Sequence, residues 1–117
     1  MEEISKSQKM ICERYGAYIC TPQPNSKVGV SINLPDVNLF PINGLRHPPE
    51  GETSGWYIWA GEDFSGDLGF FLPLHLWHLE EWRYETMKFL ALPPGYRFLI
   101  GEGGYEDVWF DETLLII

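Results

Sequence analysis

Several stretches of the chain alternate apolar and polar positions with the period of two that a pleated strand imposes. In Lys27-Val-Gly-Val-Ser-Ile-Asn-Leu34, the side chains of Val28, Val30 and Ile32 fall on one face. In Gly55-Trp-Tyr-Ile-Trp-Ala60, Trp56, Ile58 and Ala60 point one way, and Tyr57 and Trp59 the other. Tyr96-Arg-Phe-Leu-Ile-Gly101 and Tyr105-Glu-Asp-Val-Trp-Phe-Asp111 are joined by Glu-Gly-Gly and read as a hairpin. Ala17-Tyr-Ile-Cys-Thr-Pro22 reads as a further short strand stopped by its proline. A Gln-Pro-Asn-Ser turn would pair it with the strand that follows.

One stretch follows a different period. Leu-Pro-Leu-His-Leu-Trp-His-Leu-Glu-Glu-Trp-Arg-Tyr-Glu-Thr-Met-Lys-Phe-Leu-Ala-Leu predicts a long helix over about residues 73–90. Pro73 suits a first helical turn, and Pro93-Pro94-Gly95 ends the helix. At 100° per residue, His75, Leu79, Trp82, Thr86, Phe89 and Leu90 form the core stripe. Trp77 and Tyr84 fall opposite, among Glu80, Glu81 and Lys88. Glu2 to Arg14 suggests a short N-terminal helix with a thin apolar set of Ile4, Met10 and Ile11. Residues 35–53, with four prolines and two glycines, read as a long loop, either held to the surface by Leu39, Phe40 and Leu45 or serving as a functional loop.

The order β-β-β-α-β-β predicts an α+β fold in a single domain over residues 1–117: a mostly antiparallel sheet of about five strands, with one long helix packed on it. The helix would cover one sheet face. Tyr57 and Trp59 would lie on the other, where the balance favours burial, because large exposed apolar patches are uncommon on monomers.

Composition adds a preference about partners. A chain of 117 residues with 44% apolar side chains can bury a core. Aromatic residues make up 15%, enough to serve an interface as well. No apolar run approaches the ~20 residues of a membrane span, and the N terminus lacks the apolar segment of a secretory signal. The expectation is a soluble, cytoplasmic protein with no membrane association, its Cys12 and Cys20 present as free thiols. Net charge is −9 and unevenly placed. Residues 1–49 carry four acids and five bases, whereas residues 50–117 carry thirteen acids and three bases. Such a half repels nucleic acid phosphates and attracts a basic partner.

Chemistry-bearing motifs are sparse. His75, His78 and Glu81 give H-x-x-H-x-x-E, which brings two imidazoles to neighbouring helical positions but carries Glu81 away from His75. These are weak metal candidates, since the stronger signature spaces its histidines four apart around a Glu. Glu62, Asp63 and Asp67 lie in a glycine-containing loop without the alternating carboxylates of an EF-hand, so a solvated turn is the plainer reading. Asp107 with Asp111, and Glu80 with Glu81, show no partner for acid–base work. There is no G-x-S-x-G and no phosphate-cradling loop with lysine. The expectation is a non-enzyme without a cofactor. Trp77 and Tyr84 among Glu80 and Glu81 resemble the aromatic anchors of a protein interface.

Gly-Leu-Arg-His-Pro-Pro-Glu-Gly-Glu-Thr-Ser-Gly-Trp-Tyr-Ile-Trp-Ala-Gly-Glu-Asp, Leu-Pro-Leu-His-Leu-Trp-His-Leu-Glu-Glu-Trp and Leu-Ala-Leu-Pro-Pro-Gly-Tyr-Arg-Phe-Leu-Ile supply the remaining clue. With Gly-Tyr-Glu-Asp-Val-Trp-Phe-Asp-Glu-Thr-Leu-Leu, they resemble the bacterial Imm33-like group, related to the small domain catalogued as DUF2185. The likeness covers about residues 44–115. Its most specific pieces are Gly55-Trp56 with Gly61-Glu62, the Leu-Pro-Pro-Gly turn at 92–95, and Tyr105 to Asp111. The resemblance implies an immunity protein that binds and neutralises a cognate toxin, with no catalytic residues to carry over. An acidic protein of this kind would suit a toxin with a basic active-site cleft. The contact set would be Trp77, Glu80, Glu81 and Tyr84, with Glu62, Asp63 and Asp67 in the adjoining loop. The alternatives are a small regulatory or housekeeping binding domain, with a homodimer through the same rings a possible form, and, more distantly, an enzyme or metal-dependent site.

Overall fold

The computed structural model describes residues 2–36, 38–61 and 71–116. Within them the chain forms a six-stranded sheet backed by short helices: α1 (Glu2–Arg14), β1 (Lys27–Ser31), β2 (Ile42–Arg46), β3 (Thr53–Ala60), β4 (Phe71–His75), α2 (Leu79–Trp82), β5 (Tyr96–Ile100) and β6 (Glu106–Phe110). Single 3₁₀ segments flank α2 at Leu76–His78 and Tyr84–Phe89, and two more, Glu102–Gly104 and Glu112–Leu115, bracket β6. The sheet order is β4-β1-β3-β2-β5-β6. β1 and β3 run parallel, and every other pairing is antiparallel. The fold is α+β as expected, and the sheet is mostly antiparallel but mixed, with one parallel pair and six strands where about five were expected.

The long helix is absent. Residues 71–75, which include Pro73, instead form the outer strand β4, where Pro73 pairs with Gly29 of β1. A proline is tolerated at an edge because its missing N–H leaves only the outer row a donor short. Leu76 N–H then donates to Ser26 C=O, tying the following turn to the start of β1. Further on, the backbone of Arg83 is extended (φ −153°, ψ 86°), which separates α2 from the next 3₁₀ segment. Thr86 reinforces the break, because its hydroxyl donates to the Arg83 carbonyl at 2.8 Å.

The proline-rich segment hides a strand. β2 lies between β3 and β5 in the middle of the sheet. Pro41 and Pro48 bound it, and Gly44 interrupts its apolar alternation because the Phe98 ring lies flat in the space a Cβ would take. Residues 17–22 form no strand. Cys20 N–H donates to Ala91 C=O and Cys20 C=O accepts from Arg46, so this segment is fastened to the helical layer. Ile32 also departs from expectation: β1 ends at Ser31, and Ile32 is exposed.

The main core lies between one sheet face and the helical layer. Val28, Val30, Ile42, Trp56, Ile58, Phe98, Ile100 and Val108 meet Ile11, Cys12, Leu79, Phe89, Leu90 and Leu92 there. α1 contributes Ile11 and Cys12 fully and Ile4 in part, whereas Met10 is exposed. On the opposite face Leu45, Trp59 and Leu114 are buried together, with Tyr57 and Phe71 packed against them. Leu114 is carried there by the Glu112–Leu115 turn, whose Leu114 C=O lies 2.9 Å from His47 Nδ1. Trp59 is thus buried and Tyr57 half-buried, with cover from the C-terminal turn and Phe71.

Two buried arginines complete the frame. Arg46 donates from Nε to Ser54 C=O and from Nη1 to the carbonyls of Cys20, Leu92 and, at 3.4 Å, Leu90. Arg83 donates from Nη1 to the carbonyls of Leu34 and Asp36, and from Nε to Glu85. A guanidinium presents several donors in a fixed fork, which lets one side chain collect carbonyls from separate segments. Burial lowers the Arg46 pKa, and the neighbouring Cys20 and Tyr18 side chains partly offset that.

Candidate partner-binding surface

After β4 the chain turns through residues 76–84 with its apolar side chains inward and its aromatic and acidic ones outward. Leu76 and Leu79, three apart, are buried. Trp77, Glu80 and Glu81, spaced three and four apart, are exposed on the outer side. Trp77 is 49% exposed, and its ring lies 3.9 Å from that of His78 and stacks on His75 at 6.3 Å. The three rings form one aromatic ledge close in sequence to Glu80 and Glu81, which enter no ion pair among the described residues.

Tyr84 makes no ring contact with this ledge among the described residues. The break at Arg83 removes the continuous helix that would have aligned it with Trp77. Tyr84 is 54% exposed and lines a small depression of about 70 Å³ with Ile4 and Ser7 of α1 and with Glu85, Met87 and Lys88. Neither the proline-rich segment nor α1 covers the two rings completely. Glu62, Asp63 and Asp67 lie outside the described residues. The His75 and His78 rings meet edge-on with centroids 6.1 Å apart. Among the described residues, no three His, Cys, Asp or Glu side chains are grouped to hold a metal ion.

A second exposed cluster, at the end of the sheet, was not legible as a site. Tyr105, Trp109 and Phe110 are all exposed, so of the run from Tyr105 to Phe110 only Val108 enters the core. The available signal was that Trp109 and Phe110 are adjacent. On a strand they must point to opposite faces, so one core cannot bury both. Glu106, in the same run, receives Lys88 at 2.9 Å, Arg14 at 3.1 Å and the Tyr15 hydroxyl at 3.2 Å. Burial alone would raise the Glu106 pKa, but Lys88, Tyr15 and Arg14 outweigh it and hold the carboxyl below the usual glutamate range. The same arrangement raises the Tyr15 pKa, first through burial and then through the Glu106 charge.

Asp111 is also held low, chiefly by the Thr113 hydroxyl, with help from Arg97. Glu106 and Asp111 are therefore ionised structural anchors at neutral pH, and a general acid needs the opposite shift. A cavity of about 240 Å³ beside Glu106 is lined by Phe40, Glu85, Lys88, Phe89 and Tyr105. A larger one, about 430 Å³, opens near Tyr57, Phe71 and Pro73, with Glu50 and Glu52 at its rim.

The Imm33-like domain matches this sequence over residues 7–111. The match takes in most of α1, beyond the reach of the motifs in residues 44–115. No curated protein and no solved structure matches the chain. Among the described residues, no helix is long and apolar enough to cross a membrane.

Proposed function

Because the chain belongs to the Imm33-like family, we propose that it acts as an immunity protein: a non-catalytic module that binds a cognate protein toxin and neutralises it in the cytoplasm. The observation that carries the reading beyond the family is the exposed ledge of Trp77 beside Glu80 and Glu81. A half-exposed indole supplies apolar contact area, and neighbouring carboxylates favour a cationic partner. Net charge of −9 extends that preference over distance, since an acidic surface speeds encounter with a basic cleft. Tyr84 belongs to the proposed contact set as a separate point of contact, and Glu62, Asp63 and Asp67 join it on the strength of the sequence alone.

The test is growth of cells expressing the neighbouring toxin gene, with and without this protein, alongside direct measurement of the complex. Rescue that tracks complex formation, and that Trp77→Ala weakens without unfolding the protein, supports the proposal. A toxic neighbour that this protein neither binds nor restrains rejects that pairing.

A further inference from the structure

Among the described residues the sheet ends in two open edges, and they are built differently. β4 carries Pro73 at its centre, a common way to blunt an edge against further pairing. β6 has no proline, no lysine and no shift in register along its pairing with β5.

The direction of its backbone groups follows from two contacts. Gly101 N–H donates to Tyr105 C=O at 2.8 Å, and Asp111 N–H to Gly95 C=O at 2.7 Å. Bonded and non-bonded pairs alternate along an antiparallel ladder, so residues 105, 107, 109 and 111 turn their backbone groups toward β5. Glu106, Val108 and Phe110 turn theirs outward. Val108 agrees: its N–H is taken by the neighbouring carboxylate of Asp107, at 2.9 Å.

We propose that the outer edge of β6 is a docking strand, to which an extended, basic segment of a partner protein adds as a further strand of the sheet. Charge selects this occupant over a second copy. Glu102, Asp107 and Glu112 flank the edge and enter no ion pair among the described residues. Two such edges brought together would place like charges side by side, whereas lysines or arginines would be drawn to them.

The two faces of β6 also set the pattern of the incoming strand. The position beside Asp107, whose carboxylate enters no ion pair among the described residues, suits a basic side chain. Positions beside Val108 and Phe110 suit apolar ones. An incoming carbonyl takes over the Val108 N–H, which releases the Asp107 carboxylate to an incoming ammonium. This docking goes beyond the toxin reading and does not depend on it.

The probe is a capped peptide of alternating lysine and valine, titrated into the full chain and followed by amide-resolved NMR. The expected result is that the Glu106, Val108 and Phe110 amides shift and gain exchange protection, while the β5–β6 ladder is unchanged. Methylating the peptide nitrogens that would face β6 should abolish binding, and replacing lysine with glutamate should do the same. Asp107→Asn should weaken binding by about fivefold at low salt, the size of one partly exposed ion pair, and by less at high salt. Equal binding of the N-methylated peptide, shifts confined to residues 77–84, or no shift at millimolar peptide would overturn the proposal. A dimer that protects the β6 amides without peptide would assign the edge to a second copy and overturn it equally.

Discussion

Trp56 and Trp77 combine an indole with nearby charge to opposite ends. Trp56 is fully buried, donates from Nε1 to Leu90 C=O at 3.0 Å, and lies beneath the Arg46 guanidinium. Arg46 in turn gathers carbonyls from Cys20, Ser54 and Leu92. These donors are answered by the protein's own backbone, so the charge serves the fold. Among the described residues Trp77 meets the rings of His75 and His78, and Glu80 and Glu81 are exposed. An aromatic beside a charge therefore identifies a site only once the surrounding backbone is known.

The comparison breaks most directly by truncating each ring. Trp56→Ala should cost about 4 kcal/mol in denaturant unfolding, the range for a large buried side chain, whereas Trp77→Ala should stay within about 0.5 kcal/mol. Similar costs at both positions would remove the distinction. Arg46→Leu should follow at about 3 kcal/mol, because it leaves buried carbonyls without donors. Gly44→Ala is next, at about 2 kcal/mol, since its methyl would enter the Phe98 ring and the packed core has little room to yield.

Glu106 sharpens the comparison through pH. Its folded pKa is depressed, so its contribution is complete above the ordinary glutamate pKa and is lost as pH falls through the lowered value. Glu106→Gln should therefore cost about 1 kcal/mol at neutral pH and remove that part of the acid dependence, measured as unfolding midpoints across an acid series. The smallest effect on stability belongs to Glu80→Lys with Glu81→Lys, within about 0.5 kcal/mol. The same pair should slow association with a basic toxin more at low salt than at high salt, and equal loss at both would exclude electrostatic steering.

Legibility followed how local the cause was. α1 and the strands around Val28, Trp56, Phe98 and Val108 were readable because apolar periodicity reports a buried face directly. Periodicity also placed Trp77, Glu80, Glu81 and Tyr84 away from the core stripe, but whether the rest of the chain covers the two rings was open until the fold showed both half-exposed. β2 was not, because prolines and Gly44 look like loop residues until Phe98 is known to fill the space above the glycine. Residues 71–75 could satisfy a helix or an edge strand, and the pairing of Leu74 with Val28 decided it.

The sequence by itself determined the α+β class, the acidic half and the family, since those rest on composition, alternation and motif. It took the three-dimensional fold to show that Arg46 and Arg83 are buried fasteners, that Trp77 and Tyr84 do not share one helix, and that β6 is an edge strand among the described residues. These depend on which backbone carbonyls and strands come together from distant parts of the chain, and no local pattern encodes that.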